Sequence, residues 1–236
     1  MTSLAVMQPV FLPWLGYFEQ MALCDHFIYL DDVQYTKRDW RNRNRIRTKK
    51  DWCWLTVPVH NDGRDTRLCD VRISYHKNWA RTHLLTVRQN YARAPFFEEV
   101  FPILENRLNT PPDLLADLTM GLTADFADFL DIKTPTQRAL DVESVTTDPR
   151  SRIIELCHHV GADVYYTGPS AASYLDADTL KKEGITLVFQ DYQHPGYTQV
   201  YPGFESHMSA LDLLMAQGRA ARNTLLSSAI PSALRS

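Results

Sequence analysis

Short apolar runs and longer amphipathic segments alternate along the chain. Four of the runs have the length of strands and are apolar almost throughout, as strands buried on both faces of a parallel sheet are. They lie at 3–7, 26–32, 163–167 and 185–191. Two further runs, 52–59 and 67–74, flank a turn-forming segment, and this arrangement predicts a hairpin-like pair of strands.

The middle of the chain is predicted to be helical. Apolar residues recur at helical spacing over 78–93, over 95–108 and after Pro111-Pro112. Asp148-Pro149 predicts the start of a later helix, because aspartate caps helices and proline suits the first helical position. Ser206 is the expected cap of the last helix.

Strands and helices alternate at both ends of the chain, which favours an α/β fold with a Rossmann-like parallel sheet as its core. The helical middle is then an insertion, a subdomain at about 78–130, within a single domain that spans 1–218. Residues 219–236 are small and polar, so they are assigned to a C-terminal tail.

The net charge of −3 is unevenly distributed. Residues 36–50 hold eight of the 25 lysines and arginines and one of the 28 acidic residues, so this segment carries +7 and the rest of the chain −10. The arginines alternate with Asn, Trp and Tyr, whereas a solvated face favours Lys and Glu. A short basic segment on an acidic chain therefore indicates local anion binding, and it argues against nucleic-acid binding.

Several classes of protein are excluded by what the sequence lacks. No apolar run is long enough to cross a bilayer, and the N-terminus does not read as a signal peptide, so we expect a cytoplasmic protein without a membrane partner. The four cysteines form no CxxC pair and the histidines show no metal-binding spacing. No metal site is predicted.

Polar loops follow the first two strands, at the end of the sheet where ligands bind in open α/β folds. The first loop begins at Gln8, whose amide both donates and accepts hydrogen bonds. The second begins with Asp31 and Asp32, either of which could act as a general base, bind a metal or pair with an arginine. Its predicted substrate-binding side chains are Gln34, Tyr35, Arg38, Asn42, Arg43 and Asn44.

A third loop, 191–199, follows the last predicted strand. His194 is a candidate general acid–base because imidazole titrates near neutral pH, and a histidine held in a turn by Pro195 is the alternative. Tyr197 and Gln199 are assigned to substrate binding. The glycine–serine loop 166–175 could cradle a phosphate, but a helix-capping turn is the simpler interpretation.

These motifs resemble the WbqC-like family of bacterial proteins. The resemblance covers Met7 to Gly218 and is carried by MQPVFLPWLGYFEQM, FIYLDDVQYTKRDWRNRNRI, WLTVPV, SRIIELCHHVGADVYYTGPSAASYLD and FQDYQHPGYTQ. It marks as signature positions the candidate catalytic and substrate-binding residues named above, together with Trp40, Gly168 and Pro195. Thr167 stands where the family pattern is expected to have serine. The resemblance implies a role in O-antigen, other surface-polysaccharide or specialised-metabolite gene clusters, and it specifies no reaction.

The opening of the chain is also similar to nucleotidyltransferase-type Rossmann-like folds. Those proteins hold nucleotide phosphates with an H-x-G-H or T-x-G-H motif in the loop after the first strand. Here that loop reads P-W-L-G-Y and contains no histidine. Nucleotidyl transfer is therefore kept as an alternative that rests on fold analogy alone.

The expected function is small-molecule biosynthesis by group transfer, with acyl transfer and amide formation as options. The substrate would be an anionic activated metabolite, held by Arg38 and Arg43, while Asp31 or Asp32 and His194 move protons. A non-catalytic ligand-binding or scaffold protein of the same pathway is the alternative. A carrier protein is a candidate partner, nucleic acid is not expected, and the cofactor and oligomeric state are left open.

Overall fold

The computed structural model describes residues 1–37, 39–60 and 65–234. Its strands are β1 (Ser3–Met7), β2 (His26–Tyr29), β3 (Arg43–Arg47), β4 (Trp52–Thr56), β5 (Thr136–Arg138), β6 (Val164–Thr167) and β7 (Thr186–Phe189). Five of them form a parallel sheet in the order β5-β2-β1-β6-β7. This is a Rossmann-type order, in which the chain changes direction across the sheet between β1 and β6. The predicted α/β class and parallel core are confirmed.

The helices follow the predicted pattern closely. They are α1 (Leu15–Leu23), α2 (Trp79–Tyr91), α3 (Phe97–Asn109), α4 (Leu115–Phe129), α5 (Pro149–Val160), α6 (Ala177–Lys182), α7 (Ala210–Gln217) and α8 (Ala221–Leu225). Asp148 caps α5 as expected, because its Oδ2 accepts a hydrogen bond from the Ser151 N–H at 2.8 Å. Among the described residues, no helix combines the length and the apolar character needed to cross a bilayer.

The expected cap of the last long helix is wrong. Ser209, and not Ser206, stands at the N-cap position of α7. His207 adopts a left-handed conformation with φ 60°, and the Ser209 N–H donates to the carbonyl oxygen of Arg45 at 3.0 Å. The chain is therefore still hydrogen-bonded to β3 at Ser209 and becomes helical only at Ala210.

The predicted pairing of 52–59 with 67–74 is also wrong for most of its length. β4 pairs antiparallel with β3, which lies inside the polar segment, and 67–74 contributes a short turn at Leu68–Asp70 and a bridge between Val59 and Ile73. The polar β3 is a strand because its alternate residues have different environments. Asn44 and Ile46 are buried, whereas Arg43 and Arg45 point to the other face and are partly exposed.

Side chains on the two faces of the sheet belong to separate hydrophobic clusters. In β1, Leu4 and Val6 pack with α5 and α6, whereas Ala5 packs with α1, the block α2–α4 and α7. The result is three layers. Ala221 and Leu225 of α8 are also buried in the larger cluster. The division into a helical subdomain, a domain 1–218 and a tail 219–236 stays a prediction.

Candidate functional site

The carboxyl edge of the sheet, where β1 and β6 diverge, is the place at which this topology binds ligands. The loop after β1 and the basic segment meet here. Arg41 donates from Nε to Gln8 Oε1 at 2.7 Å and forms an ion pair with Asp39. The Phe11 N–H donates to the carbonyl oxygen of Trp40 at 3.1 Å. The loop after β1 and the loop after β2, predicted as separate loops, are therefore hydrogen-bonded to each other.

The two asparagines of the basic segment hold backbone in place. Asn42 donates from Nδ2 to the carbonyl oxygen of Val57 at 2.8 Å, and Asn44 donates to that of Leu12 at 2.6 Å. Both side chains are buried. Their predicted substrate-binding role stays untested, and what the structure shows is that they fix the hairpin and the loop after β1.

A cationic, aromatic surface covers the outer side of the β3–β4 hairpin. The arginine–tryptophan face, as we call it, consists of Trp40, Arg43, Arg45, Trp52 and Trp54. The Arg43 guanidinium lies 4.3 Å from the ring centroid of Trp54, and that of Arg45 lies 5.0 Å from Trp52. Trp40 and Trp54 remain 43% and 37% exposed. Such a face suits an anionic group attached to a flat ring.

Asp31 and Asp32 lie just beyond the end of β2 and each pairs with an arginine. Asp31 is fully buried and accepts from Arg138 Nε at 2.6 Å and from the Leu140 N–H at 3.1 Å. Asp32 accepts from Arg152 Nη2 at 2.8 Å through Oδ2, whereas its Oδ1 is buried without a hydrogen-bond partner among the described residues. The oxygens of Asp31 are thus both engaged, and one oxygen of Asp32 is not.

His194 sits beside the arginine–tryptophan face. Its Nδ1 lies 3.1 Å from the carbonyl oxygen of Pro195, and its Nε2 lies 3.2 Å from the His207 N–H. The neutral tautomer with hydrogen on Nδ1 satisfies both contacts. Burial, helped by His207, lowers the pKa of His194. Arg45 donates from Nη2 to the His207 carbonyl oxygen at 3.0 Å, which links His194 to the face.

The other two predicted residues of the third loop are attached to α7. Tyr197 OH and Gln199 Nε2 each donate to Asp212 Oδ2 at 2.9 Å, and Tyr91 OH donates to Oδ1 at 2.7 Å. Burial raises the pKa of Asp212, and the three hydrogen bonds oppose that rise. This network anchors the loop that carries His194.

The predicted site residues thus fall into two groups. Gln8 contacts Arg41, Arg43 lies against Trp54, and His194 is linked to Arg45 through His207. Tyr35 is buried close to the charges of Arg41 and Arg43, which oppose the rise that burial causes in its pKa. In the residues described, no hydrogen bond or ion pair joins Asp31 or Asp32 to His194. Gln34 is exposed and its backbone bridges to Arg67. Arg38 lies outside the described residues.

Sequence reasoning missed a buried acid at the same edge of the sheet. Glu19 of α1 is 2% exposed and accepts from Gln190 Nε2 at 2.6 Å and from Tyr166 OH at 2.9 Å. Burial raises the pKa of Glu19, against the effect of those two hydrogen bonds. The sequence feature that could have identified Glu19 is a carboxylate within a short, mostly apolar helix. Tyr166 and Gln190 lie at the ends of β6 and β7, the two strands on the opposite side of β1 from β2.

Comparison with known proteins supports the resemblance noted above. The WbqC-like protein family matches residues 8–224, nearly the whole chain. The chain belongs to this family. It is also 36% identical over 230 residues to the uncharacterized protein Rv1507c of Mycobacterium tuberculosis, covering 95% of this chain and 98% of that one. No solved structure matches the chain.

The side chains at the sheet edge of this WbqC-like chain suit anions better than metal ions. Within 1–37, 39–60 and 65–234, no group of three or more His, Cys, Asp or Glu residues is arranged to hold a metal. The surface at the sheet edge is built from guanidinium, indole, imidazole and amide groups. These groups bind anions and rings.

Proposed function

We propose that this protein is a group-transfer enzyme of small-molecule biosynthesis that binds an anionic activated metabolite at the carboxyl edge of its sheet. The observation that carries the proposal is the arginine–tryptophan face, which adjoins the Gln8–Arg41 contact beside the β1–β6 crossover. Planar guanidinium groups fit phosphate and carboxylate oxygens, and indole rings take a base or sugar.

In this proposal Arg43 and Arg45 bind the anionic group and Trp54 contacts the ring. Each guanidinium is already held against an indole, so little side-chain entropy is lost on binding. Gln8 acts indirectly, because its amide oxygen is used to hold Arg41. Asn42 and Asn44 keep the hairpin and the loop after β1 in register.

Proton transfer is assigned to Asp32 and His194. Asp32 has one buried carboxylate oxygen that accepts no hydrogen bond from any described group, and in this proposal that oxygen accepts the proton. His194 is kept neutral by its lowered pKa, so its Nε2 can accept a proton once the hydrogen bond from His207 opens. Asp31 is reassigned to positioning, since Arg138 and Leu140 use both of its oxygens.

The proposal is tested with the full chain and two probes, UDP-N-acetylglucosamine and acetyl-coenzyme A. Both carry phosphates, a flat base and an activated group. Calorimetry should show that at least one of them binds, and that Arg43→Gln and Trp54→Ala each weaken binding about tenfold, the effect of losing one charge-assisted or stacking contact. Arg93→Gln, an exposed arginine at the end of α2, is the matched control.

The same experiment separates the alternatives. Incubation of the binding probe with cell extract, followed by mass spectrometry, should reveal a transferred acyl or glycosyl group that disappears with Asp32→Asn. Binding that persists with no product in the wild type would instead indicate a ligand-binding or scaffold protein. Equal affinities of the Arg43→Gln, Trp54→Ala and Arg93→Gln variants would overturn the assignment of the face.

A further inference from the structure

A cavity lies beside the β3–β4 hairpin, at the end of β4. Its volume is about 420 Å³, and it is bounded by the end of β4, by the segment around Ser74 and by the first turns of α2. The residues that line it include Thr56, Ser74, Lys77, Trp79 and His83. A cavity of this size accommodates a small organic molecule.

Two side chains in its wall have unused hydrogen-bonding atoms. Trp79 and His83 are 5% and 7% exposed, and their rings contact each other at 5.3 Å between centroids. Trp79 Nε1 and His83 Nδ1 are both shielded from water and have no hydrogen-bond partner among the described residues. Buried polar atoms are normally paired, so two unpaired atoms on side chains that line one cavity indicate a missing partner.

The two nitrogens require different partners. The indole N–H of Trp79 can only donate. His83 is neutral at physiological pH, because burial lowers its pKa to about 4. Its ring is hydrogen-bonded to the Thr56 backbone, and because Nδ1 is unpaired that bond is made by Nε2–H. Nδ1 is therefore an acceptor, and a hydroxyl or carboxamide group would serve both nitrogens together.

The outer part of the cavity is positively charged. Lys77 is exposed and forms no ion pair with any residue in the described ranges. It immediately precedes Asn78, the N-cap of α2, so the helix dipole adds to its charge. An anionic group is favoured at this end.

We propose that this cavity binds a small organic carboxylate that also carries a hydroxyl or carboxamide group. The carboxylate lies near Lys77, the aliphatic part packs against Trp79, and the polar group pairs with the two ring nitrogens. The cavity adjoins the proposed active site, because the His83 ring contacts Phe11 of the loop after β1, with centroids 6.0 Å apart. This second site does not depend on the identity of the anionic metabolite.

Calorimetry on the full chain tests the proposal with two pairs of probes. In each pair one compound carries the polar group and the other is a near-isostere without it: 4-hydroxybutyrate against pentanoate, and L-glutamine against L-norleucine. We expect at least one polar probe to bind about tenfold more tightly than its partner. Trp79→Phe should abolish the preference, Lys77→Met should weaken binding of both members, and Lys181→Met, an exposed lysine of α6, should change neither.

A direct readout complements the variants. In a ¹⁵N-labelled sample, the indole N–H signal of Trp79 should move downfield with the polar probe and not with its isostere. If Trp79→Phe fails to fold, this shift and the Lys77→Met affinities decide. No binding by any probe, equal binding within both pairs, or a stationary Trp79 signal would overturn the proposal.

Discussion

Asp212 provides a sharp test of how the His194 loop is held. Replacing it with alanine removes the acceptor of Tyr91, Tyr197 and Gln199, at 2.7, 2.9 and 2.9 Å. Gln199 keeps its hydrogen bond to the carbonyl oxygen of Glu205, so the two tyrosine hydroxyls lose the most. Each buried donor left unpaired costs about 1–3 kcal/mol, and we expect Asp212→Ala to lower the free energy of unfolding by about 3–5 kcal/mol.

Asp212→Asn adds a dependence on pH. Burial raises the folded-state pKa of Asp212, so the native state favours the protonated form more than the unfolded state does. The stability that this group contributes is present below its unfolded pKa, about 3.9, and is lost as the pH rises through its folded pKa. Asparagine does not titrate. The unfolding free energy of wild type minus that of Asp212→Asn should therefore be larger at pH 4 than at pH 8.

Urea unfolding followed by tryptophan fluorescence measures both effects. Asp178→Asn, an exposed aspartate of α6, is the control and should stay within about 0.5 kcal/mol of wild type at either pH. A loss below about 1 kcal/mol for Asp212→Ala, or a wild type–Asp212→Asn difference that is the same at pH 4 and pH 8, would refute the reasoning.

Three further predictions use the same unfolding assay. Arg152→Met should cost about 3–5 kcal/mol, because it leaves the Asp32 carboxylate unpaired, and Asp32→Asn in the same chain should recover part of that loss. The pKa of His83 is lowered to about 4, so between pH 6.5 and pH 4 the unfolded state binds a proton that the native state does not. The free energy of unfolding should therefore fall by up to about 3 kcal/mol over this range, and His83→Phe should remove this acid sensitivity. Gly218→Ala should cost more than 2 kcal/mol, roughly, since φ is 57° and the new Cβ would lie 2.4 Å from Phe96, whereas Gly203→Ala, at φ 80° without such a clash, should cost less.

The parallel sheet was predictable because each of its longer strands has a local sequence pattern that identifies it. Runs that are apolar on both faces have few alternatives to a buried strand, and Asp148-Pro149 fixes the start of α5 through its own hydrogen bond. The strand β3 was not predictable in this way. Its arginines alternate with Asn44 and Ile46. The buried face of this strand depends on contacts with distant residues, such as the hydrogen bond from Asn44 to the carbonyl oxygen of Leu12.

The site could be located from the sequence more readily than its residues could be given roles. Polar residues at the ends of strands mark the carboxyl edge of any parallel sheet. Which of them are free to act depends on partners that are distant in sequence, such as Arg138 for Asp31 and Asp212 for Tyr197. Glu19 was missed for the same reason, since Gln190 is 171 residues away.

The position of β1 in the middle of the sheet has a consequence for folding on the ribosome. β1 is made first, yet one of its two edges pairs with β6, with Ser3 opposite Val164. Until β6 (Val164–Thr167) has been synthesised, that edge has no partner and can pair with other chains. Closing so long a loop is slow, so refolding should be slow and N-terminal fragments that end before β6 should aggregate.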